Sequence, residues 1–110
     1  MNKNEYAPYF ETYISYSKNM SIPDDFSTQM ESCMAFFESV PVAKLDYRYQ
    51  LEKWSIKDIL LHLIDCERIF QYRALRISRN DKTPLPGFEE NDYAVEANAT
   101  SRTLESLLNE

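Results

Sequence analysis

The sequence predicts an all-α fold built as a helical bundle, and three observations support that prediction. Only one of the 110 residues is glycine, whereas turn-rich β-sandwiches and glycine-rich phosphate loops need more. Apolar residues recur at helical spacing over long stretches of the chain. They make up 44% of the sequence, which is enough for the core of one domain. We therefore expect a single domain over residues 1–110.

The first predicted helix covers residues 8–18 and begins with Pro8 in its first turn, where the missing N–H of proline costs little. Four tyrosines recur at helical spacing in and just before this segment: Tyr6, Tyr9, Tyr13 and Tyr16. Aromatic side chains bury large areas when they pack. We therefore expect these tyrosines to lie in a core or an interface rather than to stack on bases.

A second helix is predicted between Pro23 and Pro41, since apolar residues repeat there at one helical face. These residues are Phe26, Met30, Cys33, Met34, Phe37 and Val40. The following segment, residues 41–53, alternates apolar and polar side chains, which is the periodicity of a strand. Because the sequence offers no second strand to pair with it, we expect an extended connection instead of a sheet.

The longest predicted helix runs from Ser55 to about Asn80. Ser55 followed three residues later by Asp58 is typical of a helix N-terminus close to a capping box. Apolar residues form a main arc and a second arc on this helix, as expected of a bundle helix with several neighbours. The main arc contains Ile56, Ile59, Leu60, Leu63, Phe70, Ala74 and Ile77, and the second contains Leu61, Ile64 and Leu75.

The remaining residues are predicted to form a loop and one more helix. Residues 81–93 hold prolines and the single glycine, so we expect a loop. Its acidic side chains are expected to be solvated: Glu89, Glu90 and Asp92. Thr103 is predicted to cap a helix with three inward leucines, Leu104, Leu107 and Leu108. An amphipathic helix of about two turns buries its face poorly, so we expect the chain to be part of a longer protein.

Charge and cysteine content narrow the class of protein. The net charge is −6 and there is no basic stripe, which disfavours nucleic acid and anionic membranes as partners. No apolar stretch is long enough to span a bilayer, and the N-terminus has no signal-peptide core. Cys33 and Cys66 stand singly without a Cys-x-x-Cys motif. We therefore expect reduced thiols in a cytoplasmic protein.

His62, the only histidine, is the first candidate for a metal ligand. Asp58, His62 and Cys66 are spaced i, i+4 and i+8 on the predicted helix, and carboxylate, imidazole and thiolate all bind zinc. The outer two are about 12 Å apart along the helix axis, so only a neighbouring pair such as His62 and Cys66 can share one ion. The alternative is a histidine at the edge of the apolar arc with one hydrogen-bonded nitrogen, beside a packed cysteine.

Glu67 is the second candidate, because it falls inside the main apolar arc and is predicted to be buried. A buried carboxylate must be paired, metal-bound or protonated. It would either orient a metal ligand or act as a general base with a raised pKa. The alternative is a buried ion pair with an arginine, and the candidate partners are Arg48, Arg73 and Arg76.

Three segments taken together closely resemble the DinB-like proteins. They are Trp54-Ser-Ile-Lys-Asp-Ile-Leu-Leu-His62-Leu-Ile-Asp-Cys-Glu-Arg68, then Tyr72-Arg-Ala-Leu-Arg-Ile-Ser-Arg-Asn-Asp81, then Thr83-Pro-Leu-Pro-Gly-Phe-Glu-Glu90. That superfamily also includes the YfiT-like metal-dependent hydrolases and the bacterial low-molecular-weight thiol transferases. The resemblance covers the chain from about Tyr6 to Glu110.

The resemblance implies an up-down four-helix bundle that holds a divalent metal, often nickel or zinc, with three histidines. His62 matches the first of these, and the other two would lie on a final helix that this chain does not contain. The bundle would therefore be incomplete here, lacking its last helix and part of its third, and inactive alone. The intact protein would be a metal-dependent hydrolase or thiol transferase with a small-molecule or thiol substrate.

The alternative function is a non-catalytic helical interaction module. An incomplete bundle leaves apolar surface exposed in an isolated monomer, and a second copy can cover it. On this interpretation the chain completes its core by homodimerisation. The sequence identifies no catalytic residue that separates the two interpretations.

Overall fold

The computed structural model describes residues 4–17, 21 and 24–110, and these residues form helices and loops without a strand. Within them lie five α-helices: α1 Glu11–Tyr16, α2 Asp24–Glu38, α3 Ile56–Ser78, α4 Glu90–Ala97 and α5 Leu104–Leu108. The all-α prediction is confirmed. Pro23 and residue 18, where predicted helix ends fall, lie outside the described residues. No helix in the described part has the length and apolar character needed to cross a bilayer.

The chain separates into two compact units, residues 1–33 and 34–110. In the first unit, α1 follows directly on the 3-10 turn Pro8–Phe10, so the first predicted helix is confirmed over residues 8–16. Tyr9, Tyr13 and Tyr16 are exposed, so the prediction that they lie in a core is wrong, whereas their place in an interface stays a prediction. So short a helix buries little of its surface, and the ring of Tyr9 contacts those of Phe10 and Tyr13, with centroids 5.1 and 6.0 Å apart.

Helix α2 confirms the second predicted helix, and Phe37 near its end is buried. Residues 41–53 were predicted to form an extended connection, but they begin with a 3-10 turn, Val42–Lys44, which Pro41 caps. Leu45 then enters the core, whereas the other apolar side chains of the alternating pattern are exposed: Tyr47, Tyr49 and Leu51. Of the alternating apolar residues, only Leu45 is therefore buried, and the segment around it consists of turns.

The N-terminus of α3 is built around the carboxylate of Asp58. The Asp58 N–H donates to Ser55 Oγ at 3.2 Å, and the Ser55 N–H donates to Asp58 Oδ2 at 2.7 Å. These two bonds are a capping box, as the sequence predicted. The Ser55 hydroxyl also donates to Asp58 Oδ2 at 2.8 Å, and Arg48 Nη2 lies 2.6 Å from the same oxygen. Asp58 is only 4% exposed, so a buried carboxylate is fully paired here.

The segment before α3 is attached to the same helix turn by further bonds. The Lys57 N–H donates to the Leu45 carbonyl at 3.2 Å, and Lys57 Nζ donates to Asp46 Oδ2 at 3.1 Å. Arg48 Nη1 donates to the Lys53 carbonyl at 2.7 Å. The path of residues 45–53 is therefore set by the first turn of α3.

Helix α3 ends close to the predicted position in a Schellman motif. The Asp81 N–H donates to the Arg76 carbonyl at 3.0 Å, and the Asn80 N–H donates to the Ile77 carbonyl at 2.9 Å. Asn80 has φ 57°, a left-handed conformation that asparagine tolerates. Arg76 Nε donates to Asp81 Oδ2 at 2.6 Å, and Arg76 with the Thr83 N–H holds the pKa of Asp81 well below its usual range.

Helix α4 was not predicted, so the predicted loop over residues 81–93 is wrong from Glu90 onward. This helix has few large apolar residues and gives little periodic signal. Glu89 caps it by accepting from the Asn91 N–H at 3.3 Å, and Asn98 ends it with φ 48°. Two predicted loop acids, Glu90 and Asp92, therefore lie in its first turn, although they are exposed as expected.

Helix α4, the 3-10 turn Ala99–Ser101 and α5 all contact α3. Thr103 caps α5 by accepting from the Ser106 N–H at 3.1 Å, as predicted. The Glu110 carboxylate pairs with Arg102 and with Arg68 of α3, and the two guanidinium groups hold its pKa below the usual range. The buried apolar side chains of residues 34–110 are Phe37, Leu45, Leu60, Leu61, Ala99 and Leu107.

We expect Asp58→Ala to lower the free energy of unfolding by about 2–4 kcal/mol, because it removes the carboxylate half of the capping box and leaves the Ser55 N–H and Arg48 without their charged acceptor. Urea unfolding followed by Trp54 fluorescence measures the change next to the affected turn. The control is Glu96→Ala, an exposed acid on α4, for which we expect a change within about 0.5 kcal/mol. Equal effects of the two substitutions would contradict the role assigned to Asp58.

Candidate functional site

His62 lines a small pocket between α3 and α4 in the second unit. The pocket has a volume of about 10 Å³, which is about the space of one water molecule. Its walls are Asp58, Leu61, His62, Asp65, Glu90, Tyr93, Ala94, Ala97 and Ala99. The histidine is half-buried, so its ring lies in a partly protected position.

Trp54 packs against the imidazole of His62. The ring centroids are 4.8 Å apart and the planes are inclined by 55°. Trp54 directly precedes Ser55, the N-cap residue, so the capping box that starts α3 also places the indole. The position of the only histidine is therefore coupled to the position of the only tryptophan.

Cys66 lies one turn further along α3, and its sulfur contacts the imidazole of His62. Its Sγ is 3.4 Å from His62 Nε2 and 3.9 Å from Nδ1. The structure therefore brings together the neighbouring pair that the i, i+4 spacing predicted. Asp58, the third member of the predicted spacing, lines the same pocket, but its Oδ2 already accepts from Ser55 and Arg48.

Burial raises the pKa of the Cys66 thiol, and the negative charges of Asp65, Glu90 and Glu67 raise it further. The thiol is accordingly protonated at neutral pH rather than activated as a free nucleophile. The same three carboxylates make the surroundings of the sulfur negative. Asp65 and Glu90 were not singled out from the sequence. Asp65 could have been found one helical turn from His62, whereas Glu90 was assigned to a loop.

Glu67 is exposed, so the prediction that it is a buried carboxylate is wrong. The helical wheel placed it correctly among apolar residues, but that face of α3 is itself largely open. The three arginines proposed as its partners bind other groups: Arg48 pairs with Asp58, Arg73 donates to the Pro86 carbonyl and Arg76 pairs with Asp81. A role for Glu67 near a metal stays a prediction.

Among the described residues, no group of three or more His, Cys, Asp or Glu side chains is arranged to hold a metal ion. What the structure provides is a pair of potential ligands, His62 and Cys66, with acids nearby. A catalytic residue is not evident from this geometry.

A larger open cleft borders the small pocket. It has a volume of about 760 Å³ and lies between residues 48–54 and residues 91–100, which comprise most of α4 and the start of the next turn. Asp58, Ala94 and Ala99 line both spaces. The other lining residues are Arg48, Gln50, Leu51, Glu52, Lys53, Trp54, Asn91, Val95, Asn98 and Thr100. The cleft therefore offers cationic, amide and apolar groups next to the pocket of His62.

We expect the rate of Cys66 alkylation by iodoacetamide to rise with pH through a midpoint above the ordinary pKa of a cysteine thiol. Burial and the three carboxylates disfavour the thiolate, so the reactive form accumulates only at higher pH. The rates are measured by mass spectrometry in the Cys33→Ser background, with glutathione as the reference thiol. A midpoint below that of glutathione would contradict the assigned environment.

The sequence matches the model of a known protein family. The model of the DinB superfamily matches residues 26–110, a range that includes all of α3 and the residues around His62. Neither the curated proteins nor the solved structures gave a match. Because the match covers well over half of the sequence and agrees with the all-helical structure, the chain belongs to the DinB superfamily.

Proposed function

We propose that the chain supplies His62 as a ligand of a divalent metal, nickel or zinc, in a hydrolase or thiol transferase of the DinB superfamily. The observation that carries the proposal is the position of the single histidine. It lies at a pocket on α3, its ring packs against Trp54, and Nε2 lies 3.4 Å from the Cys66 sulfur. The two further histidines that the resemblance implies are not in this sequence.

The donor chemistry of this pocket fits a divalent cation. A neutral imidazole is a common ligand of zinc and nickel. The carboxylates of Asp65 and Glu90 lie at the same pocket, and their negative charges favour a cation at His62. A bound divalent metal acts as a Lewis acid that lowers the pKa of a coordinated water or thiol.

The residues around His62 would keep the imidazole oriented. Trp54 packs against the ring, and the Cys66 sulfur also contacts it. Asp58 and Arg48 hold the first turn of α3, one turn before His62. Restraints of this kind reduce the cost of ordering a ligand when a metal binds.

The open cleft is the place we assign to a small-molecule or thiol substrate. It adjoins the His62 pocket through Asp58, Ala94 and Ala99. Lys53 and the amides of Asn91 and Asn98 can bind polar or anionic groups, and Leu51 can contact an apolar part.

We expect the chain to bind zinc or nickel in isothermal titration calorimetry, and His62→Gln to weaken that binding by at least about tenfold. The reason is that glutamine keeps the size and polarity of the side chain but removes the imidazole. Glu96→Gln is the matched control, because this exposed acid of α4 does not line the pocket and should leave the affinity unchanged. Binding that is the same in His62→Gln and in the unaltered chain would contradict the proposal.

A second candidate function, a homodimeric interaction module, is favoured by the open face of α3. Leu63, Phe70 and Ile77 are 40%, 55% and 67% exposed. They are spaced by seven residues and form one stripe, the spacing found where helices pack against each other. The stripe lies on the side of the helix opposite Leu61 and Asp65, which face the α4 pocket. The partner we propose for this stripe is a second copy of the chain.

Sedimentation velocity tests the dimer. We expect a concentration-dependent dimer that Phe70→Glu converts to a monomer, because the charge would be buried at the centre of the stripe. The control is Leu51→Glu, which adds the same charge at a highly exposed loop position away from α3 and should leave the dimer intact. A folded monomer at every concentration would rule out this second candidate.

A further inference from the structure

We propose that Cys66 binds the metal together with His62, so that the site presents one nitrogen and one sulfur ligand on consecutive turns of α3. This inference rests on the proposed function, because it requires a metal at His62. It goes beyond that function, since the three-histidine site implied by the resemblance contains no sulfur. It also assigns a preference among metals.

The separation of the two donor atoms suits a shared ion. His62 Nε2 and Cys66 Sγ are 3.4 Å apart. In a tetrahedral zinc site, bonds of about 2.0–2.1 Å to nitrogen and about 2.3 Å to sulfur place the two ligand atoms about 3.5 Å apart. The observed distance is close to that value, but Sγ also lies 3.9 Å from Nδ1, so the imidazole must rotate to direct the Nε2 lone pair at an ion shared with the sulfur.

The surroundings of the pair favour a cation. Asp65, Glu90 and Glu67 act on the Cys66 sulfur as negative charges, and the positive charge of Arg73 opposes them. The pocket beside His62 has room for one water molecule. A metal held by the pair would therefore retain solvent positions, in addition to its two protein ligands, within a negative environment.

Sulfur ligation changes which metal and which substrate suit the site. A thiolate is a soft ligand, and together with an imidazole it favours zinc over harder cations such as magnesium or manganese. Two protein ligands leave further coordination positions open. An external thiol has the chemistry to occupy one of them, as a second soft sulfur ligand reached from the adjoining cleft.

Zinc binding to this pair would release the proton of the Cys66 thiol. When Zn²⁺ binds, the Cys66 S–H bond breaks, its proton passes to solvent and a sulfur–zinc bond forms from the same electron pair. His62 binds as the neutral imidazole through the lone pair of a ring nitrogen. Near neutral pH the pair therefore releases about one proton from sulfur for each metal bound.

Cobalt(II) is the probe for this proposal, because it replaces zinc and reports thiolate ligation by a charge-transfer band in the near ultraviolet. Cobalt chloride is added to the reduced, unaltered chain, to Cys66→Ser and to His62→Gln. Cys33→Ser is the matched control, since it removes the only other thiol. Zinc is then added to displace the cobalt, and circular dichroism verifies that each variant is folded.

We expect the charge-transfer band in the unaltered chain and in Cys33→Ser, and its complete loss in Cys66→Ser together with a fall in zinc affinity of about tenfold or more. Cobalt binding that requires His62 but gives no charge-transfer band would overturn the sulfur ligand and leave the proposed function standing. Retention of the band or of the full zinc affinity in Cys66→Ser would overturn the sulfur ligand in the same way. Failure of the unaltered chain to bind cobalt or zinc would overturn both proposals.

Discussion

The carboxylate of Asp58 is the interaction on which the rest of the second unit depends. One buried oxygen, Oδ2, accepts hydrogen bonds from the N–H and hydroxyl of Ser55 and pairs with Arg48. It therefore starts α3 and holds the preceding segment against the helix at the same point. A buried charge of this kind is stable only while all its partners are present, so the start of the helix and the path of the loop are coupled.

The geometry of the candidate site depends on this N-terminus of α3. Trp54 stands next to the cap and packs on His62, and the regular turns of α3 then bring Cys66 to the same imidazole. Helix α4 closes the pocket and contributes Glu90. The site thus combines a rigid helix with an acidic neighbour, while the open cleft beside it gives access. Family membership and this arrangement together support a metal-dependent function more directly than either does alone.

Features set by neighbouring residues could be predicted from the sequence. The capping box at Ser55, the length of α3 and the cap at Thr103 depend on bonds within a few residues, and each was confirmed. The contact of His62 with Cys66 followed in the same way from helical spacing. Features that depend on distant segments could not be predicted reliably. Glu67 lies on an apolar face as expected, but no periodicity shows whether another element covers that face. Helix α4 was missed because contacts with α3 stabilise it more than its own pattern does.

The central claim, that His62 is a metal ligand, can be tested directly because the sequence contains one histidine. A long-range ¹H–¹⁵N correlation spectrum therefore reports the two ring nitrogens of this residue alone. On addition of zinc we predict a large shift of one ring nitrogen, with the other remaining protonated, as is usual for a neutral imidazole bound to a metal. A ring spectrum unchanged at saturating zinc would contradict the account.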